Sequence, residues 1–94
     1  MLTEFGQAFA RQRHAVIAPN PELRERELAK AADYAAAVAA ALRQRGVSEP
    51  QATLAADAGM TVLRVALQRW ASAKKGADLA AIISDSLAEL RAVL

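Results

Sequence analysis

The sequence predicts an all-α domain of four helices, arranged as an antiparallel bundle-like fold, and three observations carry that prediction. Alanine, the best helix former, supplies 25 of the 94 residues, while Val, Ile and aromatic residues, which favour strands, are scarce. Three clusters of turn residues, at 19–21, 46–50 and 74–77, cut the chain into four segments. Within each segment the apolar residues recur three and four apart, the spacing of a helix with one buried face.

The first helix runs from about Leu2 to Ala18, with Leu2, Phe5, Phe9 and Val16 on one face. It stops at Pro19-Asn20-Pro21, because a proline disfavours helix in the residue before it. Asn20 is placed to cap the second helix, with Pro21 at its first position, where the missing N–H loses nothing, and Glu22 beside the positive helix end. That helix spans roughly residues 21 to 45. Leu23, Leu28, Ala31, Tyr34, Ala35, Val38 and Leu42 share one arc, opposite Glu25, Arg26, Lys30, Asp33 and Arg43.

Gly46 supplies the left-handed residue that ends the second helix, and Ser48-Glu49-Pro50-Gln51 reads as a capping box for the third. The third helix extends to about Ala73. Its polar residues Thr53, Asp57, Thr61, Arg64 and Gln68 form one stripe, and the wide apolar remainder predicts a central element packed on more than one neighbour. Lys74-Lys75-Gly76-Ala77 reads as its stop, with cations at the negative end. Asp78 then caps the last helix, where Leu79, Ile82, Ile83, Ser86, Leu87, Leu90, Val93 and Leu94 make a broad stripe of the helix-bundle type.

Composition bounds the function. Apart from alanine, only 26 apolar residues are available to build a core, so burial against a partner is expected in a chain this small. The absence of cysteine excludes disulfides and thiolate chemistry and points to a reducing, cytoplasmic setting. No apolar run is long enough to span a membrane, and the start lacks the pattern of a secretory signal. Twelve basic and ten acidic residues are interspersed, which does not make the basic footprint of a nucleic-acid surface.

Catalytic and metal-binding constellations are missing. His14 is the only histidine and has no acidic or nucleophilic residue one turn away, so it reads as a helix-end cation. There is no glycine-rich phosphate loop and no spaced metal-ligand set, so neither a catalytic residue nor a cofactor is assigned. The stretch QATLAADAGMTVLRVALQRW superficially fits a helix-turn-helix. Its outward positions in that register would be Thr61, Val62, Leu63, Ala66, Leu67 and Trp70, however, and a surface of Val, Leu and Trp cannot read a major groove. The polar stripe also stays in phase from Thr53 to Gln68, as one continuous helix requires. Gly59, within that helix, hints at the close passage of another backbone or a ligand. Trp70 reads as a core or interface anchor, and Tyr34 as an amphipathic side chain whose hydroxyl reaches water or a ligand.

Asn20-Pro21-Glu22-Leu23-Arg24-Glu25-Arg26 leading into an alanine-rich helix, then GMTVLRVALQRWAS, then DLAAIISDSLAELRAVL, resembles the C-terminal regulatory domain of TetR-family transcriptional regulators. The closest likeness is to the group described as binding acyl-CoA-like ligands, and it covers residues 1–94. The resemblance implies a homodimer whose last two helices form a four-helix bundle with those of a second copy. The implied interface residues are Gly59, Leu63, Leu67, Trp70, Leu79, Ile82, Ile83, Ser86, Leu87 and Leu90. It also implies a pocket for a small apolar or acyl-type effector among the first three helices, with Phe9, Tyr34, Val38, Met60 and Arg64 as candidate lining. DNA binding would belong to an N-terminal helix-turn-helix domain that these residues do not include, and the abrupt helical start at Leu2 fits an excised domain. A structural interaction module without a cavity is the alternative, and a small DNA-binding protein a more distant one.

Overall fold

In the computed structural model, which describes residues 2–94 and the side chains from Phe5 onward, the chain forms α1 (Leu2–Ile17), α2 (Pro21–Gln44), α3 (Gln51–Ser72) and α4 (Leu79–Val93). Leu2, expected on the apolar face of the first helix, lies outside the described side chains. Packing is centred on α3, which touches all three other helices; α1 also meets α2, while among the described residues α4 packs on α3 alone. The continuity of α3 through Gly59 leaves no turn there, so the helix-turn-helix register does not form.

Most of the local punctuation follows the sequence. Asn20 Oδ1 accepts the backbone N–H of Glu22 at 3.0 Å and of Leu23 at 3.2 Å, with Pro21 at the first helical position. At the other end of α2, Gly46 sits at φ +95°, its N–H donates to Arg43 O and the Val47 N–H donates to Leu42 O, both at 3.0 Å. That pair of bonds is the Schellman arrangement, and the positive φ is why glycine stands there. Asp78 Oδ1 accepts the Ala80 N–H at 3.0 Å and starts α4.

Two expectations fail, each for a visible reason. The capping box at Ser48 does not form, because Pro50, reached through a cis Glu49–Pro50 bond, is itself the N-cap of α3 and no side chain bonds there. Ser48 contributes its carbonyl to the Ala52 N–H at 3.0 Å instead. Glu49 turns away, accepting from Arg43 Nη1 at 2.8 Å and from Thr53 Oγ1 at 2.7 Å. Gly76 is not the residue that ends α3: the helix stops at Ser72, Ala73 is extended, and Gly76, at φ +83°, shapes a turn closed by the Ala77 N–H donating to Lys74 O.

The core is made almost wholly of small side chains. Ala35 and Ala39 of α2, Ala52, Ala56, Ala66 and Ala71 of α3, and beside them only Val62 and Trp70, are the buried apolar residues among those described. Alanine allows helices to approach closely but removes little apolar area from water. The consequence shows in the dimensions. A compact monomer of 10.0 kDa would expose about 5,200 Å², whereas this chain exposes 6982 Å². Its radius of gyration, 14.8 Å, exceeds the roughly 12 Å expected for this length.

Candidate functional site

The expected pocket residues are spread over three helices and stand open. Phe9 on α1 and Tyr34 on α2 are 60% and 58% exposed, Val38 is exposed, Met60 on α3 is half-buried and Arg64 is exposed. The face of α1 that packs is the opposite one, carrying Gly6, Gln7, Ala10 and Ile17, while Phe5, Phe9 and Val16 point outward. Likewise α2 buries its alanines and leaves Leu28, Tyr34 and Val38 at the surface. The polar stripe Thr53, Asp57, Thr61, Arg64 and Gln68 is solvated in this chain.

Two grooves among the described residues are open to solvent. One, between α2 and α3, encloses about 290 Å³ over Ala32, Ala35, Ala36 and Ala39, with Arg43, Thr53 and Asp57 at its polar end. The other lies where α1 turns into α2, against Val16, Pro19, Asn20, Pro21 and Glu22. None of Phe9, Tyr34, Val38, Met60 and Arg64 lines either groove.

The residues expected at an interface divide into two sets. Leu79, Ile82, Ile83 and Leu90 of α4 are half-covered by α3, and Leu87 is exposed; Leu63 is half-buried and Leu67 exposed on α3. Gly59 is exposed too, and a methyl group added there would meet nothing within 4 Å. Trp70 and Ser86, by contrast, are 8% and 6% exposed and packed inside the chain. The Trp70 indole N–H donates to Ala77 O at 3.0 Å, and its ring lies so close to Gly6 that a Cβ there would be 3.3 Å from Cη2. Ser86 is closed off by α3, whose Arg69 Nη1 reaches Ser86 Oγ at 3.3 Å and forms an ion pair with Glu89. These two residues reach a partner only through their neighbours.

Sequence reasoning missed the most buried polar side chain. Gln7, 2% exposed, is inserted at the C-terminal end of α3. Its Nε2 donates to Trp70 O at 2.7 Å, Lys74 O at 3.1 Å and Ala73 O at 3.2 Å, and its Oε1 accepts the Gly76 N–H at 3.1 Å. Arg11, one turn on, donates from Nε to Ala71 O at 2.8 Å. Carbonyls at and just beyond a helix C-terminus have acceptor capacity left over, and α1 supplies donors to them. The one available signal was the pairing of Gly6 with Ala10 and of Gln7 with Arg11, small and polar residues four apart on the side opposite the phenylalanines.

Two surface carboxylates have altered affinity for protons. The Arg13 guanidinium bonded to Glu27 holds that carboxyl below its ordinary value, with Lys30 adding to the effect. Glu49 is lowered by the hydroxyl of Thr53 and by Arg43. His14 is exposed in the last turn of α1. Among the described residues no group of three or more His, Asp or Glu is placed to hold a metal ion, and no helix is long and apolar enough to cross a membrane.

Comparison with known proteins agrees with the helical pattern. No curated protein and no solved structure matches the chain. A family model described as the MftR C-terminal domain, a C-terminal domain of TetR-type regulators, matches residues 1–94. With four helices, no strand among the described residues and a match over its whole length, the chain belongs to this family of TetR-type regulatory domains.

Proposed function

We propose that this domain pairs with a second copy of itself and receives a small apolar or acyl-type effector, and so adjusts the DNA binding of an N-terminal domain in a full-length regulator. The observation that carries the pairing is the excess surface, roughly 1,700 Å² beyond a compact monomer of the same mass. Obligate homodimers bury about 1,000–2,500 Å² per chain, so a second copy accounts for the excess. The half-covered stripe of α4, with Leu63, Leu67 and the open Gly59 of α3, is the surface proposed for it. Phe9, Tyr34, Val38, Met60 and Arg64 are proposed for the effector, seated against α1, α2 and α3. A ligand that prefers one arrangement of these helices shifts the population toward it, and the two DNA-reading heads with it.

Both parts are testable. Ile83→Glu places a charge in the α4 stripe and is expected to dissociate the pair, whereas Glu89→Ala, which removes only an ion pair with Arg69, leaves it associated; equal effects refute the choice of face. Addition of dodecanoate or dodecanoyl coenzyme A is expected to raise the melting temperature, less so in Phe9→Ala. The openness of both grooves favours the rival reading, a helical interaction module whose apolar faces meet only protein, and no thermal response to any acyl compound would decide for it.

A further inference from the structure

Helices α1 and α4 share no packing among the described residues; each packs on α3, and the end of α3 with the turn that follows is one route between them. Among the described side chains of α1, Gln7 makes the most bonds to that turn. Gln7 offers two amide hydrogens to three carbonyls, of Trp70, Ala73 and Lys74, and one oxygen to the Gly76 N–H. Gln7 itself is 2% exposed, so its amide depends on these partners, and a buried polar group left unpaired is strongly unfavourable. The next residue of the turn, Ala77, is held by Trp70, whose ring rests on Gly6 of α1. Elsewhere α1 is held lightly: Arg11 bonds Ala71 O, Arg13 pairs with Glu27 at the surface, and Phe5 and Phe9 face outward.

We propose that Gln7 is a latch through which α1 sets the α3–α4 turn, so that a displacement of α1 is transmitted to the start of α4. Gln7 and Arg11 thus hold α1 to the end of α3 and the turn, and Arg13 ties it to Glu27 of α2 at the surface. This goes beyond the effector reading and does not need it; were an effector to move α1, the latch is the route by which α4 would respond.

Amide hydrogen exchange on the whole chain tests the latch. Gln7→Met keeps the length of the side chain and removes its four contacts. Exchange at Gly76, whose N–H bonds Gln7, and at Ile82, whose N–H bonds Asp78 O at the start of α4, is expected to rise about tenfold relative to Ala35 and Ala39 of α2. An equal rise in α2 and in the turn would mean that Gln7 merely stabilises the fold, and no rise at Gly76 would overturn the latch outright. For transmission, Arg13→Glu turns the pairing with Glu27 into repulsion at the far end of α1. It is expected to speed Gly76 exchange in the native background and to add nothing in the Gln7→Met background; multiplying effects, or none in either, refute transmission. If Gln7→Met does not fold, Gln7→Glu replaces it. Its protonated carboxyl can still donate to one carbonyl, whereas the ionised form faces three. Both forms can accept the Gly76 N–H, so the readout is Ala77, whose N–H bonds Lys74 O in the same turn: its protection should hold at acid pH and fall as pH rises, relative to the native chain at each pH, and a constant ratio would overturn the latch.

Discussion

Trp70→Ala is the substitution whose effect the structure bounds most tightly. Trp70 is the largest buried apolar side chain in a core otherwise made of alanines and Val62. Truncation of a buried tryptophan costs about 3–5 kcal/mol, since the site collapses only in part. The lost indole bond to Ala77 O adds about 1 kcal/mol. A domain of 94 residues has a total stability of about 5–14 kcal/mol, so the variant sits close to unfolding. Trp70→Phe keeps most of the ring and loses the bond, for about 1–2 kcal/mol, or roughly 5–15 °C in melting temperature. Urea unfolding followed by circular dichroism, at several protein concentrations, measures both. A loss below about 1 kcal/mol for Trp70→Ala, or one that appears only at low protein concentration, would refute the placement of Trp70 in the chain's own core and return it to the interface.

Gly59→Ala separates the chain from its proposed pair: nothing lies within 4 Å of the added methyl, so helix propensity alone should stabilise the isolated chain by up to about 1 kcal/mol, while association weakens if a second copy covers that spot. Gly46→Ala is expected to destabilise by about 1 kcal/mol, because φ +95° strains any residue with a Cβ, and thermal melting reads it. The lowered proton affinity of Glu27 fixes a pH dependence. Its pairing with Arg13 contributes fully above the ordinary carboxyl value of 4.5 and is lost as pH falls through the lower folded value, so α1 should loosen in acid. Glu27→Gln should remove that component at a loss of less than about 1 kcal/mol near neutrality, as for other surface pairs, and an unchanged acid transition in that variant would refute it.

How much was legible in the sequence depends on whether a signal is local. Asn20, Pro21, Gly46 and Asp78 act on the backbone within a few residues of themselves, and their roles follow from residue type and position. Ser48 deceived because the capping pattern was intact while Pro50, inside it, took the cap position. Gly76 was expected to stop the helix, but it takes its positive φ in a turn four residues beyond the helix end. Gln7 was illegible because its partners are backbone carbonyls more than sixty residues away, and a glutamine on an amphipathic helix otherwise reads as solvated. The thin core was plain from composition, whereas which faces it left open was not. On α2 the alanines packed while Leu28, Tyr34 and Val38 stayed outside, and on α1 Gln7 was buried while Phe5 and Phe9 were not, reversing the usual order of burial.

The mass of the native chain in solution tests the central claim. Sedimentation equilibrium at micromolar concentration is expected to give twice the 10.0 kDa of one chain, falling to a single chain in Ile83→Glu. A native chain that sediments as a folded monomer of 10.0 kDa would contradict it, since the excess surface would then lie in water with nothing to cover it.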